Sequence, residues 1–148
     1  MAARIIDIAD GVVAALNAAS LGQTFTAVRH SLPLVKLEEV AESEALNVLV
    51  APSGDESQAF TRDDDREDVK MDIAVAQKVS ATTNTIIDPL ILFVQEVADL
   101  FKRKKIEHGD AIGRCIAVTK DPLYDQEKLK DHRLFIAIIR LTLRMTHS

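Results

Sequence analysis

The stretch "DVKMDIAVAQ", Asp68 to Gln77, sets Val69, Met71, Ile73 and Val75 in strict alternation with Lys70, Asp72, Ala74 and Ala76. A repeat of two fits only a pleated strand, so this segment predicts a β-strand with one wholly apolar face. Just ahead of it, "TRDDDRED" crowds Asp63, Asp64, Asp65, Glu67 and Asp68 together, with Arg62 and Arg66 among them. That acidic run is either a metal or catalytic site or the solvated approach to the strand.

Working outward, "SGDESQAFTRDDDRED" has no periodicity and carries Gly54 as a turn signal. It reads as a mobile polar loop around residues 53–68. Before it, "ALNVLVAP" is a short apolar strand stopped by Pro52. "FTAVRHSLPLVKLEEV" begins as a strand with Phe25 and Ala27 on one face, at a sheet edge or broken at Pro33, which has no donor for a ladder. "RIIDIADGVVAALNAA", residues 4–19, repeats apolar side chains at Ile5, Ile8, Ala9, Val12, Val13 and Leu16, the spacing of a one-sided helix.

On the other side, Asp88-Pro89 reads as a helix start, with Leu90, Phe93, Val94, Val97, Leu100 and Phe101 as its apolar stripe. This predicts a second helix over 88–106, with "KRKK", Lys102 to Lys105, favouring its C-terminal dipole. "RCIAVTK" reads as a strand, and "DPLYDQEKLKDH" as a connection with room for one helical turn. "RLFIAIIRLTLRM" closes the chain as a long strand. Phe135, Ala137, Ile139, Leu141, Leu143 and Met145 line one side of it. The other side changes from Leu134, Ile136 and Ile138 to Arg140, Thr142 and Arg144. Strand runs flanked by helices, without βαβ alternation, predict an α+β fold: a mainly antiparallel β-sheet with two main helices packed on one face.

A chain of 148 residues fits one domain with a sizeable core, and neither repeats nor a linker divide it. The net charge of −5 argues against a general nucleic-acid binder. Cys115, the only cysteine, excludes an internal disulfide and a cysteine-based zinc cluster, and reads as a small buried hydrophobe. The opening "MAARIIDIADGVV" lacks the uncharged core of a signal peptide, and no run reaches membrane-spanning length, so folding in a cytoplasm is expected.

Chemistry finds little support. A calcium loop of the EF-hand type needs alternating oxygens, a central Gly and flanking helices. The acidic run has no Gly, leads into a strand and is interrupted by arginines. Two-metal nuclease sites usually gather carboxylates from separate elements. His30, His108, His132 and His147 form no H-x-E or HExxH pattern, and neither a nucleophile elbow nor a phosphate-cradling glycine motif is present. The expectation is therefore a non-enzyme with no catalytic, cofactor or metal residues. A small metal-dependent hydrolase built on residues 63–68 is the alternative from another class. Assembly is better supported. The two-sided apolar strand from Leu134 to Ile139 needs covering from both directions, either by a neighbouring subunit or by a loop of the same chain.

The ordered set of segments resembles the tail terminator (tail-completion, or minor tail) proteins of long-tailed bacteriophages. "IADGVVAALNAA" is similar to the opening helix of that family. "FTAVRHSLPLVKLEEVAESEALNVLVAP" resembles its strand, Leu-Glu-x-Val and V-x-V-x-P segments. "TRDDDREDVKMDIAVAQKV" resembles the loop entering the alternating strand, and "DHRLFIAIIRLTLRM" the closing strand with R-x-F and L-T-x-R. The resemblance implies a structural subunit of a homo-hexameric ring that caps the tail tube, stops polymerisation of the tail tube protein and presents a surface to the head-side neck or connector protein. It implies no cofactor, a place at the head-proximal end of the virion tail, assembly in the host cytoplasm, and DNA passing through the ring without specific binding. Asp63, Asp64 and Asp65 are then candidates for the lumen. Arg62, Arg66, Arg140 and Arg144 are candidates for intersubunit ion pairs, with solvated surface charge as the plain alternative, and Ile136 and Ile138 for the apolar interface. A neck or head-completion protein is the alternative within the same class.

Overall fold

Among the residues that the computed structural model describes (4–23, 25–29, 46–59, 65–109, 111–120, 127, 129–130 and 133–145), there are two helices and six strands. They run α1 (Arg4–Ala18), β1 (Thr26–Arg29), β2 (Asn47–Ala59), β3 (Asp65–Lys78), α2 (Asn84–Phe101), β4 (Lys105–His108), β5 (Ala111–Lys120) and β6 (Leu134–Met145). The strands form one sheet in the order β1-β2-β3-β6-β5-β4. Every pairing is antiparallel except β1 with β2. The fold is α+β, as the patterning implies.

The alternation at Val69–Val75 becomes the middle of the sheet. β3 pairs with β2 on one side and β6 on the other, with Ile73 opposite both Val50 and Ile139. Val69, Met71, Ile73 and Val75 and the odd-numbered residues of β6 bury themselves under both helices, in one core with Ile8, Val12 and Leu16 of α1 and Phe93, Val97 and Phe101 of α2. Each such side chain taken fully out of water contributes about 1.5–3 kcal/mol. Phe25, just before β1, meets Phe93 edge-on with ring centroids 5.1 Å apart.

α1 touches β1 and β2 at one end of the sheet order and β4 and β5 at the other, so the sheet curls around it. Asn17 acts as a substitute strand at the β1 edge: its Nδ2 donates to the Ala27 carbonyl at 3.1 Å and its Oδ1 accepts from the Ala27 N–H at 2.8 Å. Arg29 adds an ion pair to Asp10 at 2.8 Å. On the other flank Gly11 lies against β4 so closely that a Cβ there would stand 2.6 Å from Ile106. A glycine inside a helix costs stability, and here it is what lets the helix reach the strand.

Several boundaries differ from the sequence reading. β2 does not stop at Pro52 but continues to Ala59, with a register shift between Pro52 and Gly54. Proline is tolerated because β1 pairs only as far as Val50, leaving Pro52 beside an edge and a bulge. Most of the expected 53–68 loop is therefore a hairpin arm of β2 and β3, in register from Gly54↔Lys70 to Ala59↔Asp65. Mutual backbone pairing offers these polar residues a ladder that side-chain periodicity does not announce.

Helix α2 starts at Asn84, not Asp88, with Thr83 at the N-cap. The Thr83 carbonyl accepts from Ile86 and Ile87, and burial of Ile87 anchors this extra turn. Pro89 then lies inside the helix, where it removes the N–H that would donate to the Thr85 carbonyl. The helix ends at Phe101, so "KRKK" is not its last turn: Arg103 takes a left-handed φ of 58° and Lys105 opens β4, a strand the sequence reading missed. In the connection before β6, Glu127, Leu129 and Lys130 are helical and Leu129 joins the core.

Candidate functional site

The sheet face turned away from the helices changes character along its length. Even-numbered residues of β3 and β6 point to it. Toward the Lys78/Leu134 end, Ala74 opposes Ile138 and Ala76 opposes Ile136, small against large, and with Leu49 and Leu134 they form a second apolar cluster. Toward the Glu67/Met145 end, Asp72 opposes Arg140, Lys70 opposes Thr142 and Asp68 opposes Arg144. The apolar-to-polar switch read in β6 thus has its counterpart in β3, residue by residue.

Both arginines grip their carboxylates with two bonds. Arg140 Nε donates to Asp72 Oδ1 at 2.8 Å and Nη2 to Oδ2 at 3.2 Å. Arg144 does the same to Asp68 at 3.0 and 3.2 Å. The Asp72 side chain is only 5% exposed while that of Arg140 is 52% exposed, so the pair shields a buried carboxylate with a half-wet guanidinium. The hydrogen bond it donates to Asp68 holds the Arg144 guanidinium pKa above its ordinary range. Directly opposed unlike charges of this kind fix strand register as well as adding stability.

Next to this ladder β5 is bare. Ile112 and Ile116 are 40% and 45% exposed, with exposed Arg114 between them, and at the far edge Val28 is 51% exposed. Arg114 Nη1 donates to the Arg103 carbonyl at 3.1 Å, tying β5 to the turn after α2. Ile116 occupies the bulge where the β5–β6 register shifts, and it lines a shallow depression with Lys102, Arg103, Ala117 and Val118. Cys115 beside it faces the core, and burial pushes its thiol pKa up.

The candidate residues divide as follows. Ile136 and Ile138 are buried within a single chain, at 7% and 6% exposure, so a neighbouring subunit is not needed to cover them. Of the two covers the sequence left open, the chain itself supplies this one. Arg140 and Arg144, candidates for intersubunit ion pairs, each hold a carboxylate of their own chain, Asp72 and Asp68. Arg66 and Asp65 lie in β3, opposite Gln58 and Ala59. Arg62, Asp63 and Asp64 lie outside the described residues. Among those described, no three His, Cys, Asp or Glu side chains gather as a metal site would require. The sequence reading missed Asp68 and Asp72 as arginine partners, although both share the even-numbered face of the same strand. It also missed Arg103, Arg114, Ile112 and Ile116, which local periodicity does not mark.

No family model and no curated protein matches the chain.

Proposed function

We propose that this chain is a structural subunit that works by assembly, and specifically a tail terminator of a long-tailed bacteriophage: copies form a ring, expected to be a hexamer, that caps the tail tube, halts its growth and receives the head-side connector. The observation that carries the reading is the asymmetric sheet. One face is sealed by α1 and α2, while the β5 side of the other offers exposed Ile112, Arg114 and Ile116. Exposed apolar side chains framed by charge are a surface for a macromolecular partner. Apart from residues 30–45, 61–64 and 131–132, which lie outside the described residues, the segments that carry the family resemblance fall mainly on α1, β1, β2, β3 and β6.

In this reading Asp63, Asp64 and Asp65 line the channel and keep DNA from adhering, and no cofactor takes part. The experiment is growth of the tube protein with and without this chain. Stoichiometric addition is expected to stop elongation and leave tubes capped at one end in electron micrographs. Unaltered tube lengths, with the chain absent from the ends, would remove the proposal. Capped heads with uncapped tubes would point to a neck protein instead.

A further inference from the structure

Two stretches of strand have no described neighbour on their outer side. β1 covers β2 only along Asn47–Val50, so among the described residues nothing pairs with the outer side of β2 over residues 54–59. β4 covers β5 only along Ala111–Arg114, so among the described residues nothing pairs with the outer side of β5 over residues 116–120. The remaining edges are blunted: β1 by Asn17, β4 by its shortness and by α1. An exposed row of backbone donors and acceptors templates another strand unless something prevents it.

The two open edges differ in charge. Segment 54–59, "GDESQA", contains Asp55 and Glu56 and no cation. Segment 116–120, "IAVTK", ends in Lys120 and is flanked by Arg103 and Lys102, all three exposed. Lys102 is shared with Asp99 at 3.1 Å. Arg103 stands at φ 58°, in the left-handed region that favours glycine. The charges in the sequences of the two segments are opposite in sign, which favours pairing of unlike edges over like ones.

We infer that copies of this chain join head to tail by strand addition, the acidic edge of β2 (54–59) in one copy pairing with the basic edge of β5 (116–120) in the next. This deepens the ring-subunit reading and rests on its premise that copies associate. The two surfaces are different, so the contact is heterologous and each copy uses both, which generates a ring where the rotation closes. Main-chain bonds would supply the affinity and the opposed charges the choice of partner. The exposed Ile116 favours a protein strand over a nucleic-acid backbone, which would need cations alone.

Sedimentation velocity and native mass spectrometry across a concentration series test this with the full chain. Wild type is expected to associate beyond a dimer. Asp55→Lys with Glu56→Lys, or Arg103→Glu with Lys120→Glu, should each weaken association at least about tenfold, and the two variants mixed should recover it. Because all these positions lie at strand edges or in a turn, circular dichroism should show the fold retained.

Cysteine cross-linking adds a geometric check, since Cys115 is buried and silent. Asp55→Cys or Glu56→Cys should form a disulfide with Thr119→Cys when the two proteins are mixed, and neither should cross-link alone. A wild type that stays monomeric, a disulfide in either variant by itself, or charge reversals without effect would each overturn the inference. So would DNA retention that Arg103→Glu abolishes while the mass is unchanged. A ring that forms without this cross-link refutes the edge pairing and leaves the ring-subunit reading standing. Cross-linked rings that fail to stop tube growth do the reverse.

Discussion

The two faces of the β3–β6 pair are built from the same twelve-residue register and end up opposite in character. On the helix side, Val69 to Val75 and Phe135 to Met145 are buried throughout, because α1 and α2 lie over them from end to end. On the other side burial stops halfway, where Ala74 and Ile138 give way to Asp72 and Arg140. A face that is uniformly apolar serves stability. A face that is sealed for half its length and charged for the rest also presents a surface, and the cross-strand ion pairs keep that half from collapsing into the core.

The largest test of this contrast lies under the helices. Phe135→Ala and Ile139→Ala, both fully buried, are expected to cost about 3–5 kcal/mol and 2–5 kcal/mol by urea denaturation. Next comes the sealed half of the other face. Ile138→Ala should cost about 2 kcal/mol, independently of protein concentration, because the chain covers it alone. A cost that appears only as concentration rises would return Ile138 to a subunit interface and break the comparison.

In the charged half, Arg140→Leu should lose about 1–2 kcal/mol, since it strands the buried Asp72 carboxylate. Replacing Arg144 should lose less, because Asp68 is wetter. A double-mutant cycle over Asp72 and Arg140 isolates the pair. Equal losses at both arginines would mean that burial does not grade along this face.

The smallest effect concerns Cys115 and pH. Its folded pKa lies above the ordinary thiol range, so the unfolded chain releases the proton first as pH rises. The stabilisation is complete at neutral pH and is lost on the alkaline side, beyond about pH 8.5. Urea midpoints should therefore fall more between pH 8 and pH 10 for wild type than for Cys115→Ala. A thiol reagent that labels the native protein as fast as the unfolded one would contradict the burial.

Much of this was legible in the residues. The period of two in β3 and β6 and the helical stripes of α1 and α2 follow from side-chain geometry, which a local window contains. The hairpin arm was not legible, because residues 54–59 and 65–68 become strand through each other's backbone and not through apolar alternation. β4 was hidden for a similar reason: in "KIEH" only Ile106 turns to the core, and the preceding cations resemble a helix end. The start of α2 was misplaced because Asp88-Pro89 is a stronger local signal than Thr83, whereas burial of Ile87 decides the matter.

By itself, then, the order of amino acids determined which side chains share a face, which depends on spacing along one strand, and that the sheet would be mainly antiparallel, which follows from the succession of strands and helices. Which carboxylate each arginine holds, where the sheet stops being covered, and which strand edges stay open were settled only when distant segments met. Those properties belong to the register between strands, and register is a relation between two segments that neither encodes alone.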